Sequence, residues 1–124
     1  EKADYENAQN ALITERFEES LILFERFLEN YPDSPLSASV IIAKGNAYEG
    51  LGETKKAARA YLNSFSLYGD SPVAPEALTL LGNALVSLGQ TDAGCQTLAQ
   101  VLMRFPDSDY SLEAEKMMSE LQCP

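Results

Sequence analysis

Apolar and small residues recur along the chain with the spacing of an amphipathic helix. Between residues 17 and 31, steps of four, four and three residues connect Ser20, Phe24, Leu28 and Tyr31. Side chains at such steps lie on one stripe of an α-helix. The stripe returns 37 residues later and again after another 37, as Ala57, Tyr61, Phe65 and Tyr68, and then as Gly94, Leu98, Leu102 and Phe105. This self-similarity is typical of a stacked helical array.

Turn signals repeat with the same period. The stretch YPDSP at 31–35 returns as YGDSP at 68–72 and as FPDSD at 105–109. Pro32 and Pro106 cannot continue a helix, and Gly69 is predicted to end the middle one as a C-cap. We expect a serine to cap the helix that follows each stretch, and a proline to occupy the first helical position in two of them. These residues are Ser34, Ser71 and Ser108, with Pro35 and Pro72.

A second kind of turn lies between these stretches. Gly52 and Gly89 each follow a leucine and precede a threonine by two positions, so we predict a tight turn capped by Thr54 or Thr91. Seven helices result, at residues 3–14, 17–31, 35–50, 54–68, 73–88, 91–105 and 109–122. They form a single domain over 1–124, with repeats at about 1–34, 35–71 and 72–108 and a capping helix at 109–122. No strand pattern competes with this all-α fold.

Small residues are predicted to let the two helices of each hairpin approach closely. Ala8, Gly45 and Gly82 on the first helices should meet Ser20, Ala57 and Gly94 on the second. A glycine inside a helix costs about 0.5–1 kcal/mol relative to alanine, so close packing must offset it.

Composition narrows the classes of function. Nineteen acidic residues against nine basic ones give a net charge of −10, which argues against nucleic acid because phosphate contacts supply most of that affinity. The chain has no histidine and no acid–base pair with an orienting partner, so we expect no enzyme. We expect no cofactor, no metal site and no membrane insertion, since no Gly-rich phosphate loop, ligand cluster or long apolar run is present.

Specific residues carry a resemblance to a known family. Gly45, Tyr48, Ala57, Tyr61 and Gly69, and then Gly82, Gly94, Leu98 and Pro106, resemble the tetratricopeptide repeat. That repeat usually spans about 34 residues. The longer period and the stretch DAGCQTLAQVLMRFPDSD at 92–109 resemble the C-terminal domain of the family of Tol-Pal-associated cell-division coordinators. The resemblance covers essentially the whole chain and implies a right-handed α-α superhelix.

The resemblance also implies a function. Such proteins are periplasmic adaptors that bind the Tol energy-transducing protein and a cell-wall synthase, and they coordinate outer-membrane constriction with septal wall synthesis during division. The family carries an N-terminal coiled coil that trimerises; no heptad precedes residue 3 here, so we expect the isolated domain to be a monomer. Because the sequence does not begin with Met, residue 1 is expected to be an end created by processing or cloning. The alternative is a tetratricopeptide scaffold of another envelope complex, such as outer-membrane protein assembly or a secretion-apparatus lipoprotein.

The first helix of each pair is expected to line a concave groove that holds an extended or helical protein segment. Asn46 and Asn83 are the strongest candidates for binding residues in this groove. Asparagine is a poor helix former, and yet it occurs in the middle of a predicted helix twice, 37 residues apart. An amide can donate to and accept from a peptide backbone, although both could equally be solvated. The other predicted groove residues are Tyr5, Gln9, Leu12, Ser39, Ile42, Glu49, Glu76, Thr79 and Val86.

The two cysteines leave two interpretations open. Cys95 occupies the stripe position of Leu21 and Ala58, which favours a small core residue. Alternatively, antiparallel packing of the last two helices would bring Cys95 close to Cys123, and a disulfide there would suit a periplasmic protein.

Overall fold

The computed structural model describes all residues, 1–124, and consists of seven helices without a strand. The helices are α1 (Lys2–Ile13), α2 (Phe17–Asn30), α3 (Ser37–Gly50), α4 (Thr54–Leu67), α5 (Ala74–Ser87), α6 (Thr91–Arg104) and α7 (Asp109–Glu120). All seven predicted helices are confirmed, and the all-α helical-repeat fold with them. None of the seven combines the length and apolar character that crossing a bilayer requires.

Each helix packs against the next one along the chain, and α1 also contacts α3 while α5 contacts α7. The resulting core has two parts. Phe24 and Phe27 of α2 join Ala8 and Val40 in a cluster at the N-terminal end. A larger cluster around Tyr61 and Leu98 extends from α3 to α7. Burial of these apolar stripes supplies the main driving force for stacking the helices.

The close approach within hairpins is confirmed at the glycines. A Cβ added at Gly45 would collide with the ring of Tyr61, and one added at Gly82 would come within 2.8 Å of a methyl group of Leu98. A Cβ at Gly94 would lie 3.0 Å from the carbonyl oxygen of Gly82. Because glycine has no side chain, Gly45 and Gly82 leave room for the large residues of the second helix.

The prediction that α3 and α5 begin at Pro35 and Pro72 is wrong. The Oγ of Ser34 accepts from the backbone N–H of Leu36 at 3.0 Å, and the N–H of Ser37 reaches the carbonyl of Ser34 at 3.1 Å. This closes a separate turn, so the proline belongs to the turn and the helix starts two residues later. Ser71 makes the same kind of turn. Only Ser108 directly caps a helix, by accepting from Tyr110 N–H.

The threonine caps are also predicted wrongly. Thr54 and Thr91 are the first residues of α4 and α6, and neither helix has a side-chain hydrogen bond at its N-cap. Gly69 lies beyond the C-cap Tyr68 and does not adopt the left-handed conformation. Gly52 and Gly89, by contrast, have φ angles of +76° and +84°, as the predicted tight turn requires.

A disulfide links Cys95 in α6 to Cys123 beyond the end of α7, with Cα atoms 5.7 Å apart. Cys95 is also buried in the core, so the structure combines both interpretations of that residue. Gln122, with a φ of +56°, turns the chain after α7 and directs Cys123 back to α6.

Candidate functional site

Eight side chains of α1, α3 and α5 that are predicted to line a groove remain accessible to solvent, and we call this set the inner face. Its members are Tyr5, Gln9, Leu12, Ser39, Asn46, Glu49, Glu76 and Asn83. All of them are half-buried except Glu49, which is exposed. Gln9 donates to the hydroxyl of Tyr5 at 2.9 Å, which orients these two polar groups from the same helix.

Two residues predicted to line the groove are buried instead, and the prediction is wrong for them. Ile42 is 3% exposed and belongs to the same core cluster as Ala77 and Leu78 of α5. Thr79, at the equivalent position one repeat later, is 1% exposed and its hydroxyl donates to the carbonyl of Pro75 at 2.8 Å. The helices of the following repeat cover this edge of α3, and α7 packs beside α5, because consecutive repeats stack side by side.

Val86 is half-buried and packs towards α6 rather than standing free. Its Cγ2 would lie 2.5 Å from a Cβ built on Gly94. It therefore fills the space that the missing side chain of Gly94 leaves, and its role in the structure is packing between the helices of the hairpin.

Asn46 has an internal partner. The hydroxyl of Tyr61 on α4 donates to its Oδ1 at 2.8 Å. Tyr61 is almost fully buried, and its ring lies against Gly45, so the glycine admits the ring and the asparagine receives the hydroxyl. One acceptor of Asn46 is thus committed to the fold, while its NH₂ group keeps two donors for other partners.

Asn83 has no such partner. Its position is equivalent to Asn46, but Leu98 stands where Tyr61 stands in the preceding repeat. Leu98 has no hydroxyl, and the Oδ1 atom of Asn83 is buried without any hydrogen bond. A buried acceptor without a partner costs about 1–3 kcal/mol, so a rotation that turns this oxygen towards a donor would be favourable.

Glu76 on α5 is a partly buried carboxylate of the inner face. Partial burial raises the pKa of its carboxyl group, and the carboxylate of Glu113 on α7 raises it further. The negative charge of Glu76 in turn contributes to raised pKa values at Tyr5, Tyr61 and Tyr110, for which burial is the main cause. Tyrosines from three neighbouring helices, α1, α4 and α7, are therefore close enough to Glu76 to sense its charge.

Three residues that lie next to the inner face are not predicted from the sequence. Tyr61 lies on the repeating stripe of α4, and its hydroxyl reaches Asn46 of the inner face. Tyr110 and Glu113 lie on α7, which was interpreted as a capping helix alone. The repeat could have predicted the two residues of α7. This helix follows α5 by one period, so its residues are expected to lie beside that helix.

The inner face combines a tyrosine ring, three amides and two carboxylates, and none of its eight members is a cation. Such a surface can exchange hydrogen bonds with a peptide backbone and attract basic side chains. No cluster of three or more His, Cys, Asp or Glu side chains is arranged to hold a metal ion.

No curated protein matches the sequence. The family described as Tetratricopeptide repeat matches residues 76–108, which cover α5, α6 and the turn before α7. The match spans one of the three repeats, and the other hairpins show the same helix–turn–helix form. The matched repeat and the seven-helix fold together support a tetratricopeptide repeat domain, a type of module that binds protein partners.

Proposed function

We propose that this chain is a non-enzymatic adaptor of a bacterial cell envelope, which binds a segment of a Tol-Pal component on its inner face. In that role it coordinates outer-membrane constriction with septal cell-wall synthesis during division. The resemblance of residues 16–109 to the Tol-Pal-associated coordinators supports the choice of partner. The observation that carries a binding role is the buried, unpartnered Oδ1 of Asn83.

The inner face suits a backbone that lies across α3 and α5. On binding, the half-buried side chain of Asn83 would rotate so that its Oδ1, which is buried in the free chain, accepts a backbone N–H of the segment, and the cost of the unpaired oxygen is relieved. Asn46 would donate from its NH₂ group, because its oxygen already accepts from Tyr61. Two amides spaced by one repeat would thus hold an extended or helical segment in a fixed direction.

A periplasmic location is part of the proposal. The disulfide between Cys95 and Cys123 supports it, because such bonds persist in oxidising compartments and are rare in the cytosol. The bond fixes α7, whose Tyr110 and Glu113 stand beside the inner face, so an oxidising compartment would also preserve the shape of this surface.

The experiment is a calorimetric titration of the chain with the helical region of the Tol energy-transducing protein. Asn83→Ala is expected to weaken binding by about tenfold, roughly 1.4 kcal/mol. The matched control is Asn10→Ala, which removes the same amide from an exposed position of α1 outside the inner face. Equal affinities of the wild type and the Asn83 variant would contradict a role for the inner face.

The choice of partner is tested separately. A crosslinking pull-down from a Gram-negative envelope is expected to recover the Tol transducer or a cell-wall synthase. Recovery of an outer-membrane assembly factor or a secretion component instead, with the same dependence on Asn83, would favour the alternative scaffold. In that outcome the binding face stands and the assignment to Tol-Pal fails.

A further inference from the structure

A second groove lies between α2 and α4 with α3 at its floor. It has a volume of about 430 Å³, and none of its lining residues belongs to the inner face. Leu28 on α2, Ile41 on α3 and Leu67 on α4 supply apolar walls. Leu67 is 67% exposed, so this large apolar side chain has no cover in the structure. We call this surface the outer groove.

The outer groove gathers positive charge in an acidic protein. Lys44, Lys56 and Arg59 line it, which places three of the nine basic residues of the chain in one groove. Lys55 stands beside the same two α4 cations in an adjoining depression. In a chain with nineteen acidic residues, such cations would be expected to have several carboxylates around them. Few carboxylates lie close to these three.

The cations of the groove make only weak contacts within the chain, and the amine of Lys56 lies 5.8 Å from the ring centroid of Tyr48. Lys44 lies 4.0 Å from a carboxylate oxygen of Glu25, and Lys56 lies 3.3 Å from one of Glu53. Ion pairs between exposed side chains contribute about 0–1 kcal/mol, so both amines can exchange these partners. Arg59 makes no hydrogen bond or ion pair within the chain. Its guanidinium keeps a full set of donors for a carboxylate.

We propose that the outer groove binds an acidic, amphipathic segment of a second protein partner. Carboxylates of the segment would meet Lys44, Lys56 and Arg59, while its apolar side chains would cover Leu28, Ile41 and Leu67. A long polyanion such as nucleic acid, or an anionic bilayer, would extend beyond the groove and meet the surrounding negative charge. A short segment avoids that repulsion, so charge complementarity selects a peptide.

The two surfaces then differ in chemistry. The inner face carries carboxylates and amides, whereas the outer groove carries cations and aliphatic side chains. Because they share no residue, two partners could bind at once, which is what coupling two processes through one adaptor requires. The outer groove is proposed from its own residues and does not depend on the identity of the inner-face partner.

The test uses a fluorescent, end-capped helical peptide with glutamates on one face and leucines on the other. Its matched partner has glutamines in place of the glutamates. The acidic peptide is expected to bind the chain, and the glutamine peptide to bind about tenfold more weakly. The double variant Lys56→Glu with Arg59→Glu is expected to lose about tenfold or more in affinity for the acidic peptide. All measurements are made without an inner-face partner, so failure here leaves the proposed function standing.

The control variant Lys2→Glu with Lys116→Glu makes the same change in net charge at exposed positions outside the groove. It is expected to bind within about twofold of the wild type, because at physiological salt charges are screened beyond about 8 Å. Leu67→Ser is expected to weaken binding without any change of charge. Absence of binding, equal loss in both charge variants, or equal affinity for the two peptides would overturn the proposal. Sedimentation showing a dimer that the groove variant abolishes would assign the groove to a second copy and would overturn it as well.

Discussion

The hydroxyl of Tyr61 donates a hydrogen bond of 2.8 Å to the Oδ1 of Asn46. One repeat later the same two positions hold Leu98 and Asn83, and the amide oxygen has no donor. The backbone arrangement is shared, since Gly45 and Gly82 both stand against the large residue of the second helix. The fold therefore uses one asparagine to stabilise a hairpin and leaves the equivalent acceptor unsatisfied.

Tyr61→Phe is expected to lower the free energy of unfolding by about 1–3 kcal/mol. The ring and its packing stay in place, but the Oδ1 of Asn46 loses its donor. Urea denaturation followed by circular dichroism measures the change. Tyr68→Phe is the control, because the hydroxyl of Tyr68 makes no hydrogen bond within the chain, and it should change stability little.

Asn83→Ala is expected to leave the free energy of unfolding unchanged or to raise it by about 0.5–1 kcal/mol. Alanine is the better helix former, and the substitution removes a buried acceptor that has no partner. Asn46→Ala, by contrast, should destabilise the chain because it leaves the hydroxyl of Tyr61 without an acceptor. If Asn83→Ala destabilised as much as Asn46→Ala, the unpaired state of Asn83 would be refuted.

Gly45→Ala is expected to destabilise the chain by about 1–3 kcal/mol, although alanine favours the helix. The added methyl group would collide with the ring of Tyr61, which is buried and has little room to move. Thermal denaturation measures the loss. Ser66→Ala, at an exposed position of α4, reports the effect of helix propensity alone and should be slightly stabilising, because alanine is the better helix former. A more stable Gly45 variant would show that the hairpin can open to accept the methyl group.

Loss of the disulfide is expected to cost about 3–4 kcal/mol in the chain-entropy account, because the bond closes a long loop. The bonded cysteines are 28 positions apart in sequence. Cys123→Ser is the better variant to measure, since Cys123 is only half-buried whereas Cys95 belongs to the core. A reductant should lower the melting temperature of the wild type and leave that of the variant unchanged. A wild type that titrates two free thiols in denaturant would exclude the bond.

Glu76→Gln is expected to raise the melting temperature at pH 7. Burial raises the pKa of Glu76, with a further contribution from Glu113, so the native state favours the neutral acid. The stabilising contribution of this carboxyl is therefore present below its unfolded pKa and is lost as the pH rises through the folded value. Glutamine is neutral throughout, and its advantage should disappear towards pH 4.

The matched control for that prediction is Glu115→Gln, which removes one negative charge from an exposed position of α7. Melting curves of both variants and the wild type between about pH 4 and pH 8 separate the effect of net charge from that of burial. A constant difference between Glu76→Gln and the wild type across this range would contradict the raised pKa of Glu76.

The sequence predicts the helices well because the apolar stripe and the turn residues both repeat. The helix caps are predicted less well. Ser34 and Ser71 each close a short turn instead of capping a helix, and a serine before a proline is compatible with both arrangements. The inner face was predicted from one helix at a time. The covering of Ile42 and Thr79 by the next helices of the stack is a tertiary effect that helical spacing does not contain.

The unpaired amide oxygen of Asn83 can be predicted from the sequence only in part. The sequence shows that Leu98 occupies the position that Tyr61 holds one repeat earlier. The effect of this difference depends on which atom the tyrosine hydroxyl reaches, and only the structure gives that atom. The outer groove was not found from the sequence either. Its cations lie on two helices and its apolar walls on three, so only the stacking of the repeats brings them together.

The central claim is that the inner face holds a segment of another protein. Two-dimensional NMR of the chain with isotopically labelled asparagine side chains, titrated with the helical region of the Tol transducer, tests it most directly. The claim predicts that the side-chain amide signals of Asn46 and Asn83 shift on binding, while that of Asn10 stays in place. Saturating partner that leaves both signals unmoved would contradict it.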